Sequence, residues 1–291
     1  MKTIIRVFPR ATKATPRDAL SFFDEPNGRR SALPDMFASS AGADEVHVSV
    51  TFTQDREKAE RLAAQWQSIA PVKIGGVGWN DDPQSDFVPG LYIKPGYTFT
   101  SRGCPRKCWF CKVPKRNPHI KLLAIQDGWN ILDDNLLACP RPHVEAVFAM
   151  LQRQGRQVEF TGGLEALALE DYQVGLLADL KPRPNCFWAY DPGDAFETLA
   201  SAARRLLAAG FTARSHRLGC YVLIGYPGDT MEKAEKRLKD ILSIGFTPRA
   251  MLWEPDTVAS QTKHAPGDEW REFRRRWFRP AIIHAASGGA A

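Results

Sequence analysis

The sequence predicts an α/β protein: a partial (β/α)6 barrel over residues 97–255, preceded by a small truncated Rossmann-like βαβ unit over 44–96. Three observations predict it. From residue 97 onward, strand-like and helix-like runs alternate with short links, the pattern of a parallel sheet covered by helices. About six such units, rather than eight, fit the segment. Ahead of them, residues 46–78 hold one strand–helix–strand unit of the same kind.

Residues 1–43 are rich in Pro, Arg, Ser and Asp and show no sustained period, so they are expected to form an irregular arm on the surface. VHVSVTF (46–52) alternates like a strand, REKAERLAAQWQSI (56–69) has helical spacing, and PVKIGGVG (71–78) reads as a strand ending in glycines. Residues 79–96 read as a linker. YTFTS (97–101) is the first barrel strand. The apolar runs KLLAI (121–125) and NILDDNLL (130–137) follow, then a helix over 141–155 that stops at Gly155. Strands at 157–163, 186–191, 219–225 and 248–255 then alternate with helices at 168–180, 194–210 and 229–245. Residues 256–291 form a C-terminal extension. Its segment 269–283 is basic and aromatic.

The chain has 291 residues, enough for one large α/β domain with an appendage. Its 44% hydrophobic and 25% charged residues are ordinary for a soluble protein. No apolar run reaches the roughly 18–20 residues that cross a bilayer. The first residues lack the apolar core and cleavage site of a secretion signal. A cytoplasmic location is therefore expected, with no membrane partner. In a reducing compartment, the six cysteines read as metal ligands or packed thiols rather than a disulfide scaffold. The net charge of +6 is compatible with a nucleotide or nucleic-acid partner.

Three of the cysteines, Cys104, Cys108 and Cys111, stand in TSRGCPRKCWFCKVPK with CxxxCxxC spacing. Three thiolates can hold three irons of a cubane cluster and leave the fourth iron open for chemistry. Arg102, Arg106, Lys107, Lys112, Lys115 and Arg116 surround them, and positive charge favours thiolate. The loop follows a strand, at the edge where βα barrels build their active sites. The alternative is a zinc site with His119, Cys139 or a distant cysteine as fourth ligand, which would make the chain a zinc-stabilised nucleic-acid-binding protein without catalysis.

This segment resembles the radical S-adenosylmethionine (radical SAM) enzymes. The likeness rests on Cys104-x-x-x-Cys108-x-Phe110-Cys111, with an aromatic before the third cysteine, and covers about 97–255. The resemblance implies a [4Fe–4S] cluster on the three cysteines, with S-adenosylmethionine chelating the fourth iron. It implies reductive cleavage to methionine and a 5′-deoxyadenosyl radical, which abstracts hydrogen from a substrate. It also implies an electron donor such as flavodoxin or ferredoxin.

The resemblance extends to later positions. Asp133-Asp134-Asn135 stands where many members place a GGE-type segment that receives the methionine ammonium group. It resembles the acidic strand end of the branch related to B12-binding and methylthiotransferase proteins; an Asp-rich turn or cap is the other reading. Gly162-Gly163-Leu164-Glu165 lies one strand late for GGE, so Glu165 either faces the ligand or follows a plain glycine turn. The family often places an arginine hereabouts for the methionine carboxylate. This chain has none nearby until Arg183. Asp191 either meets ribose hydroxyls or substrate, or caps the next helix. Ile224-Gly225-Tyr226-Pro227-Gly228-Asp229-Thr230 is similar to the family's GxPGxT loop, which implies that Ile224 and Gly225 meet adenine.

KIGGVG (73–78) resembles the end of the B12-binding domain that precedes some such barrels, but no cobalamin-ligand motif is present. The aromatics and arginines of 270–279 either stack on nucleic-acid bases or pack on the barrel with the arginines in water. Packing is the expected outcome. Cys139, Cys186 and Cys220 sit in apolar surroundings and are expected to be packed thiols.

Overall fold

The computed structural model describes residues 2–25, 27–79, 90–255, 267–278 and 283. They form two compact units divided between Tyr97 and Thr98. The protein is mixed α/β with parallel sheets in both.

The first unit holds strands β1 (Ile4–Phe8), β2 (Ser21–Phe23), β3 (Glu45–Ser49) and β4 (Val72–Gly75), with helices α1 (Met36–Ser40) and α2 (Arg56–Trp66). The strand order is β2-β1-β3-β4 and every pair is parallel. Ile5, Val7, Val46 and Val48 are buried from the sheet, and Leu62 and Trp66 from α2. Trp66 meets Phe22 edge-on at 4.7 Å and donates its indole N–H to the Ala32 carbonyl at 2.8 Å.

Residues 1–43 are thus not an irregular arm: β1 is a central strand of this sheet. The reading failed at Arg6, a charge in the middle of IIRVF that breaks the apolar pattern. Its side chain is buried, and its guanidinium binds the Asp18 carboxylate and the Leu91 carbonyl. A buried charge needs such partners, and residues distant in sequence supply them. Of the expected linker, 80–89 lies outside the described residues. The rest is anchored: Tyr92 shares a 2.5 Å hydrogen bond with His47, and Lys94 N–H donates to Ala14.

The second unit is built on a six-stranded sheet. Its strands are β5 (Tyr97–Thr98), β8 (Asn130–Ile131), β9 (Glu159–Leu164), β10 (Asn185–Tyr190), β11 (Leu218–Ile224) and β12 (Thr247–Leu252). They lie side by side in sequence order, and the β8 to β12 pairings are parallel. Helices α4 (Arg141–Gln154), α5 (Asp171–Asp179), α6 (Phe196–Ala208) and α7 (Met231–Ser243) connect β8 to β12. Gly155 ends α4 in the left-handed conformation. Cys186, Trp188, Cys220, Val222 and Ile224 alternate along β10 and β11 and are buried in one core with Leu206, Ala234, Leu238 and Ile241 of the helices. The alternate residues, Phe187, Ala189, Tyr221 and Leu223, stay half-buried on the opposite face.

Two details differ from the sequence reading. YTFTS splits into β5 and β6 (Ser101–Arg102), and KLLAI contributes β7 (Lys121–Leu122), which pairs antiparallel with β6. This ribbon closes the base of the cysteine loop, which carries α3 (Val113–Arg116). At the C-terminus, α8 (Asp268–Trp277) buries Phe273 and Trp277 in the core of this unit while Arg274, Arg275 and Arg276 stay exposed. Aromatics at 270, 273 and 277 share one helical face, so packing claims them and leaves the cations in water. Among the described residues, no helix is long and apolar enough to cross a membrane.

Candidate functional site

Local chemistry fixes the cysteine loop. Gly103 sits at φ +94°, and a Cβ there would lie 2.1 Å from the His119 carbonyl oxygen, so only glycine fits. Its N–H donates to Asp134 Oδ2 at 2.7 Å, and Arg102 stands 3.6 Å from the same carboxylate. Cys104 N–H donates to the Asn117 carbonyl at 3.0 Å, and Cys111 N–H to the Cys108 carbonyl at 3.1 Å. All three thiols are half-buried.

The ends of the next three strands converge on this loop. After β8, Asn135 Nδ2 reaches Cys104 Sγ at 3.4 Å and Glu165 Oε2 at 2.6 Å. Glu165 follows β9. Its Oε1 stands 2.9 Å from Arg106 Nε, an ion pair without the alignment of a hydrogen bond. Arg106 also donates to Asp194 Oδ1 at 2.7 Å. Asp194 follows β10 and accepts the Asp191 N–H at 2.8 Å. Arg106 therefore ties the strand ends to the loop between the first two cysteines.

Electrostatics follow from this crowding. Burial pushes the Cys108 thiol up, and the Arg106 guanidinium opposes that rise. Burial also raises Cys111, and the charges of Cys108, Cys104 and Asp134 add to the effect. Asp191 is pushed up to about 7, first by burial and next by the Asp194 charge. Asp133 is pushed up to about 6 by burial, which outweighs its hydrogen bonds.

The structure sorts the sequence-derived residues. Cys104, Cys108, Cys111, Glu165 and Asp191 come together. Asp134 belongs to the site as the acceptor that holds the loop at Gly103. Asp133 is enclosed. It is 1% exposed and accepts from Thr100 N–H at 2.6 Å, Thr100 Oγ1 at 2.5 Å and Ser101 Oγ at 2.7 Å. Its carboxylate latches the first strand to the second and is shut away from solvent.

Phe110 is half-buried and stands edge-on to Trp109 at 5.5 Å; Trp109 in turn meets Tyr226 at 5.8 Å. Ile224 ends β11 and Gly225 follows it. Both are buried; Ile224 accepts from Trp253 N–H at 2.9 Å, and Gly225 donates to Asp229 Oδ2 at 2.9 Å. A Cβ on Gly225 would meet the Trp270 ring at 3.1 Å, so α8 covers this strand end. Sequence reasoning missed Arg106 as a paired group, missed the contact of Asn135 with Cys104, and missed Asp194. The signal for Arg106 was its position inside the cysteine motif. The partners come from strand ends far away in sequence.

Among the described residues, no three His, Cys, Asp or Glu side chains are gathered as a metal site. The three thiols are within electrostatic reach of one another without being drawn to that spacing. Their donor chemistry fits a thiolate-ligated cluster. Asn135, whose Oδ1 is buried without a hydrogen-bond partner, supplies an N–H toward sulfur of the kind that tunes such clusters. Cys139, Cys186 and Cys220 are buried apart as packed thiols, with Cys139 raised to about 11 by burial. No protein-family model matches this chain, and a search of curated proteins also found no match.

Proposed function

We propose that this chain is a radical SAM enzyme with a partial (β/α)6 barrel, and that Cys104, Cys108 and Cys111 hold three irons of a [4Fe–4S] cluster. The observation that supports this best is placement. The CxxxCxxC loop leaves the edge strand of a sheet ordered by sequence, and side chains from three successive strand ends meet it. When bound, the cluster supplies the electron that cleaves S-adenosylmethionine and opens radical hydrogen abstraction.

The chain's own groups suit that role. Asn135 donates toward Cys104 Sγ, and Arg106 offsets negative charge at Cys108. The methionine part of S-adenosylmethionine carries one ammonium and one carboxylate. Glu165, Asp191 and Asp194 offer acceptors for the first, and Arg106 offers the guanidinium that the second needs. Arg106 thereby fills the role for which no arginine follows β9. A donor such as flavodoxin or ferredoxin would supply the electron to a bound cluster.

Anaerobic reconstitution with iron and sulfide tests the reading. The expected product is a brown protein with about four irons per chain that yields 5′-deoxyadenosine when reduced with S-adenosylmethionine. Cys108→Ala is expected to abolish both. A colourless protein with stoichiometric zinc and no cluster uptake would refute the proposal in favour of a zinc-stabilised binding protein.

A further inference from the structure

The face of the six-stranded sheet opposite the helices carries an aromatic floor beside a cation that has no partner among the described residues. Tyr221 of β11 stacks on Phe187 of β10, with ring centres 5.3 Å apart and planes 14° from parallel. Gly219 makes this possible: a Cβ there would stand 2.7 Å from the Phe187 ring. The Tyr221 hydroxyl crosses β10 to the Thr161 carbonyl of β9 at 3.4 Å. Arg249 of β12 is the lateral partner of Tyr221 in the parallel register, so both side chains share this face.

Arg249 is half-buried, and among the described residues it has no ion-pair or hydrogen-bond partner. Two other half-buried guanidiniums of this unit are paired, Arg237 with Asp229 and Arg217 with Gln157 and Asn185, whereas Arg183 stands over the Phe211 ring. Around Arg249 the same face offers Leu223, Ala189 and the half-exposed Met251. The carboxylate that reaches Tyr221 electrostatically is Glu159 of β9, held by Asn130 at 2.9 Å and Asn185 at 3.3 Å. An anion is therefore received at the β12 side of the floor and repelled at the β9 side.

We propose that this face binds the substrate, and that the substrate is a planar aromatic molecule bearing an anionic group, phosphate or carboxylate. The ring lies on the Phe187–Tyr221 floor, and the anion pairs with Arg249. Ala189 is in register with Tyr221, and Asp191 follows it by one same-face step of about 7 Å. Asp191 in turn reaches Cys108 electrostatically, so a ligand on this floor lies along the path to the cysteine loop. The inference rests on the radical SAM reading for its chemistry, but its binding test needs no cluster.

The experiment is calorimetric binding to the full chain under reducing conditions, with two matched probe pairs. Thymidine 5′-monophosphate is compared with thymidine, and indole-3-acetate with indole. In at least one pair the anionic probe is expected to bind tenfold or more tighter than its neutral partner, as a charge-assisted contact requires. Which pair responds assigns phosphate or carboxylate. Arg249→Gln is expected to reduce that preference to within about twofold, and Arg249→Lys to restore part of it. Tyr221→Leu is expected to weaken both members of the pair. The proposal is overturned if neither anionic probe is preferred, or if Arg249→Gln keeps the preference. A chain that loads its cluster and cleaves S-adenosylmethionine yet shows no anion preference sinks this inference alone.

Discussion

Asp133 gives the sharpest test of how the second unit is held together. Its carboxyl is buried beneath three hydrogen bonds from Thr100 and Ser101, and its pKa rises from 3.8 to about 6 because desolvation outweighs those bonds. Between these two values the folded state binds a proton that the unfolded state has lost. Stability from this group is therefore complete below about 3.8 and is lost as pH rises through about 6. The full shift corresponds to roughly 3 kcal/mol, and linkage places about 1.4 kcal/mol of it between pH 8 and pH 5. Asp133→Asn keeps the shape and cannot titrate. Urea unfolding is measured at both pH values for parent and variant, each in a His143→Gln background. That background is needed because His143 Nε2 lies 3.2 Å from Thr100 Oγ1 and would titrate in the same range. Relative to the variant, the parent is expected to gain about 1.4 kcal/mol on moving from pH 8 to pH 5. An unchanged difference, within about 0.5 kcal/mol, would refute the claim that desolvation wins. A change of opposite sign would show that the hydrogen bonds hold the carboxylate ionised.

Other predictions bear on the loop and the C-terminal helix. Gly103→Ala puts a Cβ 2.1 Å from a backbone oxygen at a positive φ, a strain of at least about 1–3 kcal/mol concentrated in the cysteine loop. Cluster uptake is expected to fall severalfold while the far-ultraviolet circular dichroism of the sheet is retained; undiminished uptake would show that the loop adapts. Phe273→Ala empties a core position that is 2% exposed and is expected to cost about 3–5 kcal/mol in urea unfolding. Arg274→Ala, on the exposed face of α8, is expected to change stability by less than about 0.5 kcal/mol. Equal effects of the two would contradict the division of α8 into a packed aromatic face and a wet cationic one.

Much of the architecture was legible because period carries it. Apolar alternation marked β9 to β12, and glycine stops marked the ends of their helices. Where period failed, a long-range contact was responsible. IIRVF read as a patch broken by Arg6 until Asp18 and Leu91 supplied partners for that charge. Asp133 and Asp134 read as acceptors for an ammonium group, or as a turn, from their place after the second strand; the structure adds that one latches strands and the other holds Gly103.

The amino-acid sequence by itself determined the α/β repetition, the cysteine spacing and the aromatic face of the C-terminal segment, because each is a local pattern of residue types. Only the tertiary structure decided which acids remain near the thiols, that Arg106 joins Glu165 to Asp194, and that Arg249 stands beside Tyr221. Ion pairing, desolvation and access depend on groups brought together from distant strands. Adjacency in the chain does not record that convergence.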